Sequence, residues 1–147
     1  MSALTIYCDG SAHERPARPG GWAFVVVEND VILLSESGGD KSTNNNEMEL
    51  EAARLALRAV IERAWHLGRE VELISDSRLV VDIATGTEPP PRVHASQGAE
   101  VRQLCLSARV HAKWVRSHAG NRWNEHVDAM ASAAKTELVP VRFRPPT

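Results

Sequence analysis

Four acidic residues stand in four separate segments of the chain. Asp9 follows the apolar run Leu4 to Cys8 and precedes Gly10-Ser11. Glu49 lies in Asn46-Glu47-Met48-Glu49-Leu50, Asp76 in Leu73-Ile74-Ser75-Asp76-Ser77, and Asp128 in Asn124-Glu125-His126-Val127-Asp128. Two of these settings read as strand ends and two as helix. If folding gathers the four, their charges share one small volume. At ~4 Å each pair repels by roughly 1 kcal/mol in water and about 4 kcal/mol at a protein surface. Such a group is stable only with bound protons or divalent cations. Hard cations on carboxylates are the usual means of hydrolysing phosphodiesters. His118, between Ser117 and Ala119-Gly120, adds an imidazole that could carry protons beside such a cluster.

Each residue taken alone has an ordinary explanation. Asp9-Gly10 is a turn signal, and Asp76 can be a helix N-cap. Asn46-x-x-Glu49 has the spacing of a capping box, with the glutamate folded back on the helix start. Asp128 can be a surface residue one turn after Asn124, and His118 a solvated loop histidine. What argues against all of these together is position. In open α/β sheets, ligand sites form beyond the C-terminal ends of strands, where Asp9 and Asp76 are expected.

The elements that must position them follow from periodicity. Leu4 to Cys8 alternates as a strand, with Thr5, Tyr7 and Asp9 on one face. Trp22 to Glu28 and Val31 to Glu36 read as a hairpin turning at Asn29-Asp30. Gly38-Gly39 and Ser42 to Asn46 read as loop. A helix is expected from Glu47 to His66, closed by Gly68. Val71 to Ser75 is a strand and Arg78 to Ala84 a short helix. Thr85 to Gln97, with Pro89-Pro90-Pro91, reads as irregular. Ala99 to Ala108 is helix, Val110 to Val115 strand and Trp123 to Glu137 helix. This order implies an α/β mixed sheet with helices packed on it.

The 147 residues suggest one domain, and 43% hydrophobic with 24% charged residues is ordinary globular composition. No apolar run is long enough to span a bilayer, and the N-terminus lacks signal-peptide character. Cys8 and Cys105 make no disulfide framework, so a reducing, cytoplasmic setting is expected. The net charge of −2 argues mildly against strong non-specific nucleic-acid binding.

Together these residues resemble ribonuclease H of the bacterial and retroviral type, over about Leu4 to Leu138. The blocks that carry the resemblance are Asp9-Gly10-Ser11, Pro19-Gly20-Gly21-Trp22, Asn45-Asn46-Glu47-Met48-Glu49-Leu50, Ser75-Asp76-Ser77, and His118-Ala119-Gly120 with Asn124-Glu125 and Asp128. The resemblance implies a five-stranded mixed sheet flanked by helices, with residues 1–139 as the catalytic domain and 140–147 as a loose tail. It implies an endonuclease that cuts the RNA strand of an RNA–DNA hybrid, leaving 5′-phosphate and 3′-hydroxyl ends. Asp9 would bridge two Mg²⁺ ions, with Mn²⁺ as a possible substitute. Glu49 and Asp76 would complete one site and Asp128 the other. His118 would assist proton movement and product release, and Asn124 would steady the loop and the Asp128 helix. Gly10, Ser11, Asn45 and Asn46 would face the minor groove, where 2′-hydroxyls mark RNA. Arg78 stands where the family often has a groove-facing glutamine. A monomer with no obligate protein partner and no membrane association is expected.

Departures from the family pattern carry weight. Arg15 stands where relatives have a phosphate-holding asparagine. One extra residue before Glu49 leaves the register of Asn44, Asn45 and Asn46 open by one. Several relatives carry a lysine- and tryptophan-rich basic protrusion after the Asp76 helix. Here Thr85 to Glu100 holds three prolines and only Arg92 and His94 as possible cations. The alternatives are a metal nuclease for another structured nucleic acid and a non-cutting binding module.

Overall fold

The computed structural model describes residues 2–12, 18–87 and 94–137. Its elements are β1 (Leu4–Ala12), β2 (Arg18–Glu28), β3 (Val31–Thr43), α1 (Asn45–Glu62), β4 (Val71–Ser75), α2 (Arg78–Thr85), α3 (Ala95–Ala108), β5 (Val110–Trp114) and α4 (Arg122–Glu137). The five strands form one sheet in the order β3-β2-β1-β4-β5. The β1–β2 and β2–β3 pairs are antiparallel, whereas β4 runs parallel to both β1 and β5. This is the expected five-stranded mixed sheet.

Period-two alternation divides the sheet between two cores. Leu4, Ile6, Cys8, Phe24 and Leu73 pack under α1, α2 and α3. Ala23, Val25 and Val27 face α4 through Trp123, Val127 and Ala131. Both cysteines are free and buried, and no helix among the described residues is long and apolar enough to cross a membrane.

Several boundaries differ from the sequence reading, each for a physical reason. The first strand outruns Cys8 because β2 pairs with it as far as Ala12↔Gly20. Gly38 and Gly39 are strand residues, not loop. A Cβ at Gly38 would lie 2.6 Å from Trp22 Cζ2, and one at Gly39 2.7 Å from the Ala134 carbonyl of α4. These glycines admit close neighbours and do not turn the chain. Helix α3 starts at Ala95, a turn earlier than expected, behind His94 in the left-handed region. Residues 88–93, including the three prolines and Arg92, lie outside the described residues, as do His13 to Ala17 with Arg15 and the expected tail at 140–147. Hairpin residues Asn29 and Asp30 both have positive φ, as a tight turn between twisted strands requires.

Helix α1 ends at Glu62, before the expected stop at Gly68. The Ala64 N–H donates to Ile61 O and the Trp65 N–H to Val60 O, closing the helix with Ala64 at φ 58°. A glycine normally occupies that left-handed position. Ala64 is exposed, so its methyl group adds strain without packing. Ala64→Gly is expected to stabilise the fold by about 1 kcal/mol. Urea unfolding checks this; an unchanged or lower midpoint would remove strain at Ala64 from the account.

Candidate active site

The site forms where β4 stops short of β1. Their pairing ends at Tyr7↔Ile74, and β4 itself ends at Ser75. Asp9 and Gly10 therefore continue past the last β4 partner while still paired with β2. The Gly10 N–H donates to Glu49 Oε1, and to Asp9 Oδ1 at 3.0 Å. Carboxylates thus stand where a longer β4 would have supplied an acceptor. A Cβ on Gly10 would lie 2.3 Å from the Glu49 nitrogen, so only glycine lets the start of α1 approach this closely.

Asp9, Glu49 and Asp76 each offer a carboxylate oxygen within 4.8 Å of the others. Asp128, on α4 at the other sheet face, lies near enough to Asp9 to add to the upward push on its carboxyl. Three of the four expected acids, Asp9, Glu49 and Asp76, are therefore brought within reach of one ion, and Asp128 stands outside that group. Asp9 and Glu49 are only 3% and 4% exposed, and burial is the main cause that pushes both carboxyls up. For Asp9, hydrogen bonding to Glu49 and repulsion from Glu49 and Asp76 add to burial. For Glu49, repulsion from Asp76 adds to burial, while hydrogen bonds from Asp9, the Gly10 N–H and the Ser77 hydroxyl pull the other way.

Neighbours have taken over the capping duties that competed for these acids. Asn44, not Asn46, caps α1, accepting from the Glu47 N–H at 2.9 Å. The capping-box spacing is therefore Asn44-x-x-Glu47, and Glu49 is released to the site. Ser77 caps α2, accepting from Val80 N–H at 3.2 Å, which releases Asp76. Asn121 accepts from the Asn124 N–H at 3.0 Å at the start of α4.

The remaining expected residues fall in different places. Asn124 is buried, and its Nδ2 donates to Asp76 Oδ2 at 3.4 Å, so it steadies Asp76 directly. Ser11 Oγ accepts from Lys135 Nζ at 3.2 Å. Asn45 and Asn46 are exposed in the first turn of α1. His118 is exposed in the loop before α4, with φ 55°, and among the described residues no hydrogen bond ties its ring to the carboxylates. Arg78 lies on the Trp114 ring, 3.9 Å from its centroid. Sequence reasoning missed Trp114, whose Nε1 donates to the Asp76 carbonyl at 3.0 Å; its intermediate place on an edge strand gave no signal. His94, read as a possible free cation, is engaged: Nδ1 sits 3.3 Å from Glu47 Oε2 and Nε2 3.1 Å from Asn44 Nδ2.

The donor set fits divalent cations. Oxygen-only carboxylate ligands suit hard ions. Asp9 Oδ2 is buried with no hydrogen-bond partner among the described residues, which leaves its lone pairs available to an ion.

A mixed sheet with a carboxylate cluster where its parallel strands β1 and β4 part, covered by three helices on one face and one on the other, is the arrangement of the ribonuclease H class. The RNase H family model matches residues 1–136. The ribonuclease H of Treponema denticola is 31% identical, covering 92% of this chain and 99% of its own length. That of Erythrobacter litoralis is 35% identical over 91% and 96%. In structure, LC11-RNase H1, solved in complex with RNA/DNA hybrid, superposes with a TM-score of 0.78 at 22% identity over 91% of this chain and 97% of that one. The chain belongs to the RNase H family.

The raised carboxyls set a linkage. A carboxyl whose folded pKa exceeds its unfolded value near 3.9 binds more proton when folded, so stability falls as pH rises between the two values. Asp9→Asn removes that penalty and keeps an amide donor toward Glu49. In EDTA the variant is expected to melt higher than the parent by on the order of 3–6 °C at pH 8. The margin should shrink toward pH 4. Calorimetry at both pH values checks it, and a variant that melts lower at pH 8 would contradict the electrostatic account.

Proposed function

We propose that the chain is a ribonuclease H of the bacterial and retroviral type, an endonuclease for the RNA strand of RNA–DNA hybrids that leaves 5′-phosphate and 3′-hydroxyl ends. The observation that carries this reading is the convergence of Asp9, Glu49 and Asp76 at the gap beside β4, with Asp128 of α4 near Asp9. The hybrid held by the structurally similar LC11 enzyme supports the substrate class. Residues 1–139 form the catalytic domain in this reading. The molecule acts as a cytoplasmic monomer with no obligate protein partner and no membrane association.

Asp9 would hold two Mg²⁺ ions, with Mn²⁺ as a substitute, Glu49 and Asp76 sharing one and Asp128 the other. Bound there, the ions supply acidified water and neutralise charge on the leaving oxygen. The protein's own part is orientation. The Gly10 N–H fixes the Glu49 carboxylate, and Asn124 Nδ2 fixes that of Asp76. Trp114 holds the Asp76 backbone from the edge strand. His118, free in its loop, receives or returns a proton as product departs. The exposed amides of Asn45 and Asn46 reach 2′-hydroxyls in the shallow minor groove, with Ser11 and Arg78 alongside. Gly10 contributes by its lack of a side chain, because its N–H is committed within the site. With His94 engaged by Glu47 and Asn44, the segment after α2 offers little positive charge, which supports a ribonuclease H without the basic protrusion.

Cleavage of a labelled hybrid in Mg²⁺ and in EDTA, beside double-stranded RNA and double-stranded DNA, tests the reading. The expected result is cutting of the hybrid alone, only with metal. Asp9→Asn should bind hybrid and cut it at background rate; near-normal turnover would refute the assignment. His118→Ala should retain cleavage slowed by roughly a hundredfold. Hybrid affinity should fall only gently with salt, with a logarithmic slope of about two to three, and a slope near ten would contradict the missing protrusion.

A further inference from the structure

The arginines of the described residues divide by what holds them. Arg54 and Arg58 pair with Glu51 and Glu100, and Arg69 pairs with Glu28. Arg63 and Arg102 donate to the carbonyls of Ala59 and Ala84. Arg109 and Arg116 are exposed, with no ion pair or ring contact among the described residues. Arg78 and Arg122 differ from all of these. Each lies on an indole, Arg78 at 3.9 Å from the Trp114 centroid and Arg122 at 4.4 Å from that of Trp123. Both are exposed, and neither has an ion-pair partner among the described residues. A stacked guanidinium uses its face and leaves its N–H edge free, ordered in a plane that suits two-point binding of a phosphate.

Their positions are related. Arg78 is the first residue of α2, two residues after Asp76; Arg122 is the first residue of α4, two residues before Asn124. Asp76 and Asn124 are joined by a hydrogen bond, so the two stacks converge on one corner of the carboxylate pocket from opposite faces of the sheet. A helix N-terminus is the unfavourable end for a cation, by about 0.3–1 kcal/mol. Two uncompensated cations at such ends, beside four carboxylates that must receive a polyanion, fit a demand for anion contact.

We propose that Arg78 on Trp114 and Arg122 on Trp123 form a pair of phosphate clamps that grip the hybrid backbone flanking the cut, in place of contacts that a basic protrusion would make. This rests on the hybrid-cutting reading above and deepens it. Trp114 thereby joins two tasks, fixing the Asp76 backbone with its Nε1 and Arg78 with its ring.

The test is steady-state cleavage of labelled hybrid in Mg²⁺ over a range of KCl, for Arg78→Gln, Arg122→Gln, the double variant and Arg109→Gln. Arg109 precedes β5, at the opposite end of the sheet, and serves as the control. Each single variant should raise KM roughly three- to tenfold with kcat within about twofold, and flatten the logarithmic salt slope by about one; the double variant should flatten it by about two. The lysine variants should restore the slope but not the KM, because the stack is lost. A double variant with parental KM and slope, or an equal loss in Arg109→Gln, would overturn the proposal. Anisotropy of the same hybrid without added metal reads the same slopes whether or not the chain cuts. Binding through both arginines without cleavage would therefore defeat the activity reading and leave the clamps standing.

Discussion

The structure depends on holding mutually repelling carboxylates where water is scarce. Burial penalises the charged forms of Asp9 and Glu49; Glu49 adds to the burden on Asp9, and Asp76 to the burden on both. A chain left to minimise this would turn the acids outward or spend them on helix caps. Two features prevent that. The Gly10 N–H and the Asn124 amide anchor two of the acids by donated hydrogen bonds, and Asn44, Ser77 and Asn121 satisfy the helix starts in their place. The acids keep lone pairs unspent, as the orphaned Asp9 Oδ2 shows.

The second requirement is a meeting point for side chains that belong to opposite faces of one sheet. Asp9 lies on the face shared with α4, whereas α1 and α2 pack on the other. An unbroken β4 would wall these faces apart. Because β4 ends at Ser75 while β1 runs on to Ala12, supported by β2, a gap opens beside Asp9 and Gly10. Through it Glu49 approaches from α1 and Asp128 from α4. Unequal strand lengths in a parallel pair are thus as much a part of the site as the carboxylates.

The same corner organises positive charge. Elsewhere, Arg54, Arg58 and Arg69 are neutralised by glutamates, and Arg63 and Arg102 bond to carbonyls. Beside Asp76, indoles take over the positioning, and an indole orders a guanidinium without cancelling its charge. A weakly acidic protein can in this way order cationic groups beside its acidic pocket.

The order of strands and helices was legible in the sequence, as were the three acids that cluster, Asp9, Glu49 and Asp76, because periodicity and residue type are local properties. So was the hairpin at Asn29-Asp30, where two left-handed residues are a local demand. What the sequence left open depended on distant partners. Gly38 and Gly39 carry the composition of a loop but lie in β3, because Trp22 and α4 need the space a Cβ would fill. Glu49 and Asp76 match cap positions by spacing, and only the caps formed by Asn44 and Ser77 decide that these acids are free. Sequence alone thus determined which groups are available. Tertiary structure decided which of them face each other, because a carboxylate's environment is set by chain segments far away along the backbone.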